Sequence, residues 1–492
     1  MAVLLSQLIE GLPSARVIHS ARTEVSGLAY DSRAVRPGDL FICIRGFVYD
    51  GHDFAGQAVE KGAVALLVER PLPLAVPQIV VDDSRRAMGP LAAAFYGYPS
   101  SQLRVVGVTG TNGKTTTTYF VRSLLAHAGR RCGLIGTVVQ SAGQGDAPAT
   151  RTTPEAVDIQ RLLRQMVDNG CKAAVMEVSS HGLVLQRTAG VEFDIAVFTN
   201  LTQDHFDFHR TFDDYLEAKL KLFRGLAPGK TSLKRQKCAV VNGDDPHAES
   251  FIKASQVPVI TYGFSPERDL WASDVEVTPG GVRYLARSRR QTVEVRLRLT
   301  GRFNVYNSLA ALGVALGEGI DLEEAVLGIR ETVVPGRFEP VDLGQEFAVI
   351  VDYAHTPDSL ENVLKTARSL AKERVICVFG AGGDRDPTKR PIMGEIAAEL
   401  ADYVVITSDN PRSEEPEAIC REIAKGAQRH GRTPFEIVVD RREAIRHAIS
   451  IADAGDLVLI AGKGHETYQE IKGERIHFDD REEARRALKE RL

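Results

Sequence analysis

The chain of 492 residues contains one tryptophan and only six cysteines. The cysteines are scattered and form no C-x-x-C pair, which argues against the usual zinc sites. Most of them lie in apolar runs, so we expect buried free thiols in a reducing compartment. No stretch reaches the roughly 18 apolar residues that a membrane-spanning helix needs.

Other absences limit where the chain acts and what it binds. The N-terminus lacks the positive start and long apolar core of a signal peptide, so we expect a cytoplasmic protein. A net charge of −4 gives no reason to expect nucleic acid as a general partner. Internal repeats and low-complexity segments are also missing. A hydrophobic content of 43% and a charged content of 26% are typical of a soluble globular protein.

A glycine-rich segment, GVTGTNGKTTTT at residues 107–118, is the most informative motif of the chain. It follows the apolar run 103–106 and precedes a helix-like stretch, which is the order of a phosphate-binding loop. Lys114 can reach the outer phosphates of a nucleotide, and the Thr115 hydroxyl can ligate Mg²⁺. Gly107 lies one residue too early for the usual P-loop spacing. A chance turn is the alternative, but Gly-Lys-Thr between a strand and a helix favours ATP or GTP binding.

The length corresponds to about three domains. Residues 1–97 contain short strand candidates and end in a linker-like segment, which predicts a small α/β N-terminal domain. Residues 98–333 contain near-continuous apolar runs at 173–178 and 193–200, as expected for a parallel sheet covered on both faces. The segment 270–300 alternates apolar and polar residues. We therefore predict a central P-loop ATPase domain with a parallel sheet plus a small antiparallel patch.

The last block, residues 334–492, alternates strand and helix signals and predicts a doubly wound, Rossmann-like α/β domain. The predicted strands are 348–351, 375–379, 403–407, 437–439 and 457–460. Four of them lead into polar loops at 352–355, 380–385, 408–412 and 461–466. Because such sheets bind ligands beyond the carboxyl ends of their strands, these loops predict a second ligand site.

Two further residues belong to the predicted edge of the central sheet. Glu177 ends one strand, and His205 follows the next one. Mg²⁺ takes oxygen ligands and tolerates an occasional imidazole, so both residues are candidate metal ligands. The alternative is that one of them is a capping or core polar residue.

Lys219 lies on the apolar stripe of a predicted helix, where an ammonium group is costly to desolvate. Its neighbours three and four positions away are Tyr215, Leu216, Leu222 and Phe223. One interpretation is a lysine that extends to solvent. The other is that burial favours the neutral amine, which can add carbon dioxide and become a metal-binding carbamate.

Together these motifs resemble the Mur ligases, the ATP-dependent amide-forming enzymes of bacterial peptidoglycan precursor synthesis. The matching segments are 110–116, 177–181, 204–205, 215–219, 301–307, 335–339 and 352–357. The likeness runs through essentially the whole chain, in order. Folylpolyglutamate synthase shares the central ATPase architecture, but it would not be expected to carry the other matches.

Within this family the chain resembles the members that add a diamino acid to UDP-N-acetylmuramoyl-L-alanyl-D-glutamate. The segments that carry this likeness are 31–33, 37–41, 152–154, 382–385 and 409–412. The last of them, Asp-Asn-Pro-Arg, resembles the form that selects meso-diaminopimelate. That amino acid has a second carboxylate, which L-lysine lacks and a guanidinium can grip through two hydrogen bonds.

The resemblance implies a role for individual residues. ATP would contact Gly110, Thr111, Asn112, Gly113, Lys114, Thr115, Thr116, Asn304, Arg337 and Asp352. The UDP-linked precursor would contact Ser32, Thr152, Thr153, Ser179 and Arg187. The diaminopimelate would contact Arg385, Asp409, Asn410, Pro411, Arg412, Gly462 and Glu466. Mg²⁺ would be held by Thr115, Glu177, His205 and a carbamylated Lys219, and the catalytic residues would be Lys114, Glu177, His205 and Lys219.

The predicted function is ATP-dependent ligation of meso-diaminopimelate to the precursor through an acyl phosphate. The partners would be small molecules, with no nucleic acid and no membrane span, and we expect a monomer. One alternative is the same ligase adding L-lysine or another diamino acid. Others are a P-loop ATPase switch, which leaves the polar loops of the last block unexplained, and a non-catalytic scaffold, which leaves Glu177, His205 and Lys219 without a purpose.

Overall fold

The computed structural model describes residues 2–12, 14–149, 151–204, 208–227, 236–278 and 280–491. These residues form three α/β units in chain order, and each unit has its own mainly parallel sheet. The predicted three-domain α/β organisation is therefore confirmed. The boundaries at 97/98 and 333/334 stay a prediction. Around the first of them, the preceding α-helix ends at Phe95 and the following β-strand begins at Arg104.

The N-terminal unit is a small sheet with helices packed against it. Its elements are β1 (Val3–Leu4), α1 (Leu5–Leu8), β2 (Arg16–Ile18), β3 (Glu24–Val25), β4 (Gly27–Ala29), β5 (Asp39–Ile42), α2 (Ala55–Glu60), β6 (Ala65–Val68), β7 (Gln78–Val80) and α3 (Ser84–Phe95). The main sheet has the order β2-β7-β6-β5-β4, in which only β2 is antiparallel to its neighbour. β5 and β6 are buried along their whole length, as apolar strands between two layers should be.

The central unit contains the glycine-rich segment. Its first elements are β8 (Arg104–Thr109), α4 (Lys114–His127), β9 (Cys132–Ile135), β10 (Val139–Ser141), β11 (Ala147–Pro148), α5 (Ala156–Asp168), β12 (Ala173–Glu177), α6 (Ser180–Val184), β13 (Ile195–Phe198) and α7 (Phe212–Arg224). The remaining elements are β14 (Cys238–Asn242), α8 (Ala248–Ala254), β15 (Val259–Gly263), β16 (Leu270–Thr278), β17 (Gly281–Ser288), β18 (Thr292–Leu297), α9 (Arg302–Gly317) and α10 (Leu322–Ile329).

The strand order of this sheet brings the predicted catalytic loops together. The order is β11-β10-β9-β12-β8-β13-β14-β15-β16-β17-β18, with β8 between two parallel neighbours. Glu177 at the end of β12 pairs with Val108, and Phe198 at the end of β13 pairs with Thr109. The three strands therefore end at one edge. β16, β17 and β18 pair antiparallel, which confirms the predicted patch, and it continues the main sheet through β15.

The C-terminal unit has the predicted doubly wound architecture. Its elements are β19 (Glu339–Pro340), β20 (Ala348–Asp352), α11 (Pro357–Leu370), β21 (Val375–Phe379), α12 (Lys389–Leu400), β22 (Tyr403–Ile406), α13 (Pro416–His430), β23 (Phe435–Ile437), α14 (Arg441–Ser450), β24 (Leu457–Ala461), β25 (Tyr468–Ile471), β26 (Glu474–His477) and α15 (Asp480–Arg491). The sheet order is β19-β20-β24-β21-β22-β23. From β20 to β23 in this sheet order, which includes β24, all neighbouring strands are parallel. The four polar loops after β20, β21, β22 and β24 therefore share one edge.

The strand predicted at 437–439 is wrong by two residues, because β23 runs from Phe435 to Ile437. Phe435 pairs with Val404 and Ile437 pairs with Ile406, so the register of β22 determines where β23 lies.

The six cysteines are buried and free, as predicted. Within the described ranges, every helix is too short or too polar to span a lipid bilayer.

Two of the helices on one face of the C-terminal sheet, α12 and α13, pack with almost no space between their backbones. A Cβ atom added at Gly426 would lie 1.8 Å from Pro391 O, and one added at Gly394 would lie 2.0 Å from Ile423 O. These are contacts with backbone atoms, which cannot move without shifting a helix.

We therefore expect Gly426→Ala to lower the free energy of unfolding by about 2 kcal/mol, because the two helices must separate. Thermal unfolding followed by calorimetry measures this change. Gly56→Ala in α2 is the matched control, because a Cβ atom there has no neighbour within 4 Å. Equal melting temperatures for the two variants would contradict the prediction.

Candidate active site

The glycine-rich segment makes a sharp turn between β8 and α4. Gly110 and Gly113 have φ angles of +150° and +83°, which favour glycine. A Cβ atom at Gly110 would lie 1.9 Å from Thr199 Oγ1, and one at Gly113 would lie 2.3 Å from Asn307 Oδ1. Both positions require glycine for conformation and for space. The result is the strand, turn and helix N-terminus of a phosphate cradle.

Lys114 begins α4 and folds back over this loop. Its Nζ donates to Gly110 O at 2.9 Å and to Thr111 O at 2.7 Å. Burial lowers the pKa of Lys114, and the negative charge of Glu177 opposes this shift. The ammonium group therefore lies in the loop, where it can turn toward an anion.

Two cavities meet at the loop. The central cavity, of about 320 Å³, is lined by the predicted residues Thr111, Asn112, Gly113, Lys114, Thr115, Thr152, Thr153, Glu177, Ser179, Arg187, Lys219 and Arg337. The adjacent cavity, of about 410 Å³, is lined on its loop side by Asn112, Gly113 and Thr116 and on its C-terminal side by Arg337 and Asp352.

Glu177 lies beside the N-terminus of α4, as its position at the end of β12 predicts. Its Oε2 accepts from Thr115 Oγ1 at 3.0 Å and from Thr137 Oγ1 at 2.9 Å, and its Oε1 accepts from Thr137 N at 2.7 Å. Two predicted metal ligands, Thr115 and Glu177, are therefore in direct contact. Thr137 was missed because it follows β9, where the sequence has no distinctive motif.

Lys219 is buried on the inner face of α7, with 1% of its surface exposed. Its Nζ donates to Gly110 O at 2.8 Å and lies 4.4 Å from the centre of the Tyr215 ring. Burial lowers the pKa of Lys219 well below its ordinary value, and the charge of Lys114 lowers it further. The interpretation of a lysine that extends to solvent is therefore wrong, and burial makes the Lys219 amine lose its proton more readily than an exposed lysine.

His205 lies outside the described residues, so its predicted role stays a prediction. Its neighbour Asp204 is described and lines the central cavity. Across the described part of the chain, no three His, Cys, Asp or Glu side chains group as metal ligands.

The C-terminal unit contributes directly to both cavities. Arg337 Nη2 donates to Thr115 Oγ1 at 3.1 Å, and its guanidinium lies 4.6 Å from the centre of the Tyr353 ring. Asp352 accepts from the backbone N–H groups of Phe338 and Ala354 at 2.7 and 2.8 Å. Burial raises the pKa of Asp352.

Asn304 lies behind the wall of the adjacent cavity. Its Nδ2 donates to Thr300 O at 2.8 Å, and its Oδ1 accepts from Asn307 Nδ2 at 3.0 Å. Asn307 lines the cavity itself. The structure therefore places Asn304 as a support for Asn307, one helical turn away, and its direct contact with ATP stays a prediction.

The predicted precursor residues of the central unit form one connected group. Thr153 Oγ1 donates to Glu177 O at 2.9 Å and accepts from Ser179 N at 3.0 Å. Arg187 Nη1 donates to Thr153 O at 3.1 Å. Thr152 Oγ1 lies 3.1 Å from Thr137 Oγ1. These contacts connect the predicted precursor residues to the predicted metal ligand.

Ser32 lies apart from this group, in a cleft of the N-terminal unit that shares Arg151 with the central cavity. Between the N-terminal cleft and the central cavity, three guanidinium groups surround the carboxylate of Glu155. They belong to Arg85 at 3.3 Å, Arg151 at 2.7 Å and Arg187 at 3.0 Å. One carboxylate cannot neutralise three cations, so the junction between the cleft and the cavity attracts anions.

The loops of the C-terminal unit bring most of the predicted diaminopimelate residues together. Asn410 Nδ2 donates to Glu466 Oε2 at 2.8 Å. Gly462 has a φ of +121°, and a Cβ atom there would lie 2.5 Å from Asp409 Oδ2. A Cβ atom at Gly383 would lie 1.9 Å from Pro411 O. Glycines therefore allow the loops after β21, β22 and β24 to approach each other closely.

The two predicted arginines flank Gly382. A Cβ atom at Gly382 would lie 3.0 Å from Arg412 Nη1 and 3.9 Å from Arg385 Cγ. Arg412 has a φ of +52°, and its Nη1 donates to Gly383 O at 2.6 Å. Arg385 Nη1 donates to Asp384 O at 3.0 Å. The hydrogen bonds of both guanidinium groups go to backbone carbonyls among the contacts of the described residues, and both charges help to lower the pKa of the nearby Asp384 carboxyl.

Arg441 is a functional support that sequence reasoning missed. Its guanidinium forms two hydrogen bonds with Asp480, at 2.7 and 2.8 Å, and both side chains are fully buried. It also donates to Ala461 O at 2.9 Å and to Ser408 O at 3.3 Å. Arg441 thus holds the starts of two ligand loops. Its sequence position, at the beginning of a polar helix, resembles that of a surface arginine.

Comparison with known proteins agrees with this geometry. The Mur ligase family catalytic domain matches residues 24–96, the Mur ligase middle domain matches 108–315, and the Mur ligase glutamate ligase domain matches 336–464. The UDP-N-acetylmuramoyl-L-alanyl-D-glutamate–2,6-diaminopimelate ligase of Geobacillus thermodenitrificans is 50% identical over 490 residues, which cover 99% of each chain. The ligase of the same name from Syntrophomonas wolfei is 50% identical over 95% of each chain.

A solved structure of a UDP-N-acetylmuramoyl-L-alanyl-D-glutamate–2,6-diaminopimelate ligase is also similar. It shares 35% identity and a TM-score of 0.68, and the match covers 100% of this chain and 99% of that one. The whole length of the chain is thus accounted for by one family, in agreement with the site. The chain belongs to the Mur ligase family.

Proposed function

We propose that this chain is an ATP-dependent ligase that joins meso-diaminopimelate to UDP-N-acetylmuramoyl-L-alanyl-D-glutamate. The observation that carries this proposal is the shared lining of the central cavity. Lys114 of the phosphate loop, Arg187 of the precursor group and Arg337 of the C-terminal unit line one space. An amide ligase needs this arrangement, because nucleotide phosphate, acid and amine must meet in one place. The relatives of the same length carry this activity in their names.

The reaction has two steps. A carboxylate oxygen of the glutamyl residue attacks the γ-phosphorus of ATP, the bond to the bridging oxygen breaks, and ADP leaves. The amine of the diamino acid, having lost a proton, then attacks the acyl carbon, and phosphate leaves with the electron pair of the broken C–O bond. Because the acid and the nucleotide are both anions, the main task of Lys114, Arg337 and Arg187 is to neutralise charge and hold the reactants in position.

The residues around the loop fit a magnesium site. Thr115 and Glu177 offer adjacent oxygen atoms, which Mg²⁺ prefers, and we include His205 in the proposed ligand set. Bound Mg²⁺ would supply positive charge to the phosphoryl oxygens. The Thr115 hydroxyl already points to Glu177, so the two ligands need no rearrangement of the backbone.

We also propose that Lys219 carries a carbamate. Once the amine has lost its proton, which burial makes easier, it can add carbon dioxide and release a second proton, so that a buried cation becomes an anion. The carbamate nitrogen keeps one hydrogen, which can maintain the bond from Lys219 to Gly110 O. The new oxygen atoms would then offer metal ligands in the central cavity, which Glu177 also lines.

The precursor would extend from the N-terminal cleft to the central cavity. Ser32 would contact the uridine end, and Thr152, Thr153, Ser179 and Arg187 would hold the acyl end. The surplus of positive charge around Glu155 lies between them and suits the diphosphate of the precursor.

The diamino acid would bind in the loops of the C-terminal unit. Arg385 and Arg412 would grip its second carboxylate, and Asp409, Asn410 and Glu466 would receive its amino groups. L-lysine has no second carboxylate and would leave the two guanidinium groups without an anionic partner. We further propose a cytoplasmic monomer that binds no nucleic acid, in keeping with small-molecule substrates and a net charge of −4.

Phosphate release tests the proposed function. We expect phosphate to appear only when ATP, the UDP-linked dipeptide and a diamino acid are all present, with meso-diaminopimelate best in a panel of diamino acids. Lys114→Ala should lower this rate by at least about 1,000-fold, because it removes the cation nearest to the phosphates. Turnover of ATP without any amino acid would favour the P-loop switch instead.

Lys219→Ala tests the carbamate. We expect kcat to fall by about 1,000-fold and to recover in part when formate or acetate is added, because a small carboxylate can replace the carbamate oxygens. Lys221→Ala is the matched control, since Lys221 lies on the same helix with an exposed side chain. Full activity of Lys219→Ala without added carboxylate would remove Lys219 from the site.

Arg412→Ala tests the selection of the diamino acid. We expect the KM for meso-diaminopimelate to rise about 30-fold and the KM for L-lysine to change little, because only the former loses a charge-assisted hydrogen bond. Arg421→Ala, an exposed arginine paired with Glu417, is the control in the same unit. Equal losses with the two amino acids would show that Arg412 does not read the second carboxylate.

A further inference from the structure

A lysine without an assigned role lies under the loops that receive the diamino acid. Lys463 follows β24 and has no exposed surface. Its Nζ lies 3.0 Å from Glu466 Oε2, 3.1 Å from Asn410 Oδ1 and 4.0 Å from Asp409 Oδ1. All three partners belong to the proposed diaminopimelate set. Lys463 itself cannot reach a ligand without displacing them, so it acts through them.

The charges of this group explain why a buried lysine is required. Burial raises the pKa of Glu466, Lys463 opposes that shift, and the neighbouring charge of Asp409 adds to it. Lys463 and Arg441 hold the pKa of Asp409 below its ordinary value despite burial. Removing the Lys463 ammonium would leave two buried carboxylates close together, and one of them would take up a proton. Glu466, whose pKa is raised, is that member of the pair.

The hydrogen bonds also fix the orientation of the acceptors. Asn410 Oδ1 accepts one hydrogen bond from Lys463 Nζ and a second from Glu470 N at 3.0 Å. Because the amide oxygen is fixed in this way, the amide nitrogen Nδ2 of Asn410 faces Glu466. Both bonds to the Glu466 carboxylate end on Oε2. Among the contacts of the described residues Oε1 has no hydrogen bond, and it is therefore the oxygen left to accept from a ligand.

We propose that Lys463 is a positioning residue that keeps Glu466 ionised and directs its second oxygen to an amino group of the incoming diamino acid. This inference rests on the proposed function. An ionised carboxylate accepts strongly from an ammonium group, whereas a protonated one carries no charge to attract it. Lys463 therefore contributes to the affinity for the amino acid without touching it.

The test compares Lys463→Met and Lys463→Arg with the wild-type protein, using the full chain and saturating ATP and UDP-linked dipeptide. Met keeps a long unbranched side chain, one atom shorter than that of lysine, and removes the charge. We expect Lys463→Met to raise the KM for meso-diaminopimelate about 30-fold, while the KM for ATP changes less than about 3-fold. Lys463→Arg should recover part of the loss, because it restores the charge with a different shape.

A pH profile separates this role from a merely structural one. The charged and titratable groups that face Glu466 are Lys463, Asp409, Arg441, Tyr353 and Tyr468. In Lys463→Met the pKa of Glu466 rises, so the carboxylate is regained only at higher pH. The ratio of the variant's KM to the wild-type KM should therefore fall as the pH rises from about 7 to about 9. A ratio that stays constant over this range would contradict the inference.

Lys365→Met is the matched control, since Lys365 is an exposed lysine paired with Glu361 in the same unit. An unchanged KM for meso-diaminopimelate in Lys463→Met, or an equal rise in the KM for ATP, would overturn the inference. If Lys463→Met fails to fold, Lys463→Gln replaces it, because it also removes the charge. A selective rise in the KM for meso-diaminopimelate that shrinks as the pH rises, with an unchanged melting temperature, supports the inference, and unchanged kinetics in Lys463→Gln overturn it. Failure of the wild-type protein to form product from these substrates would instead overturn the proposed function.

Discussion

Two lysines, the half-buried Lys114 and the buried Lys219, share one backbone carbonyl at the centre of this molecule. Lys114 Nζ and Lys219 Nζ donate to Gly110 O at 2.9 and 2.8 Å. Two cations this close repel each other in a poorly hydrated space, and the pKa of both is lowered. Glu177 and Asp204 offset part of this repulsion at Lys114, and further negative charge near the loop would offset more of it. One lysine can turn to phosphate, and the other can become an anion itself.

The backbone of the loop makes this pairing possible. Gly110 adopts a φ of +150° and lies against Thr199, so no other residue could present its carbonyl there. The parallel order of β12, β8 and β13 places Glu177 and the loop after β13 beside it. The position of α7 then determines that the Lys219 ammonium lies under the loop. The positions of the charged side chains at the site thus follow from the packing of the Gly110 turn between β12, β13 and α7.

The other two units complete the site by contributing charge to it. Arg337 reaches Thr115 from the C-terminal unit, and Asp358 of α11 accepts from Asn112 Nδ2 at 2.6 Å. On the other side, Arg85 of α3 reaches Glu155 beside the precursor residues. The reactants are anions that must approach each other. Lys114 at the start of α4, Arg337 before β19 and Arg85 in α3 bring compensating positive charge from all three units.

Local patterns determined much of this protein from sequence alone: the phosphate loop, Glu177 at a strand end, Lys219 on an apolar stripe, and the polar loops at one edge of a parallel sheet. Each of these depends on residues a few positions apart, where strand and helix periodicity apply. Contacts between distant residues were decided only by the tertiary structure. Arg441 is buried because Asp480 lies beside it, and Asn307 rather than Asn304 faces the cavity because of how α9 packs. Lys463 is buried among two carboxylates and an amide that belong to different loops, and no periodic pattern in the chain encodes which loops meet.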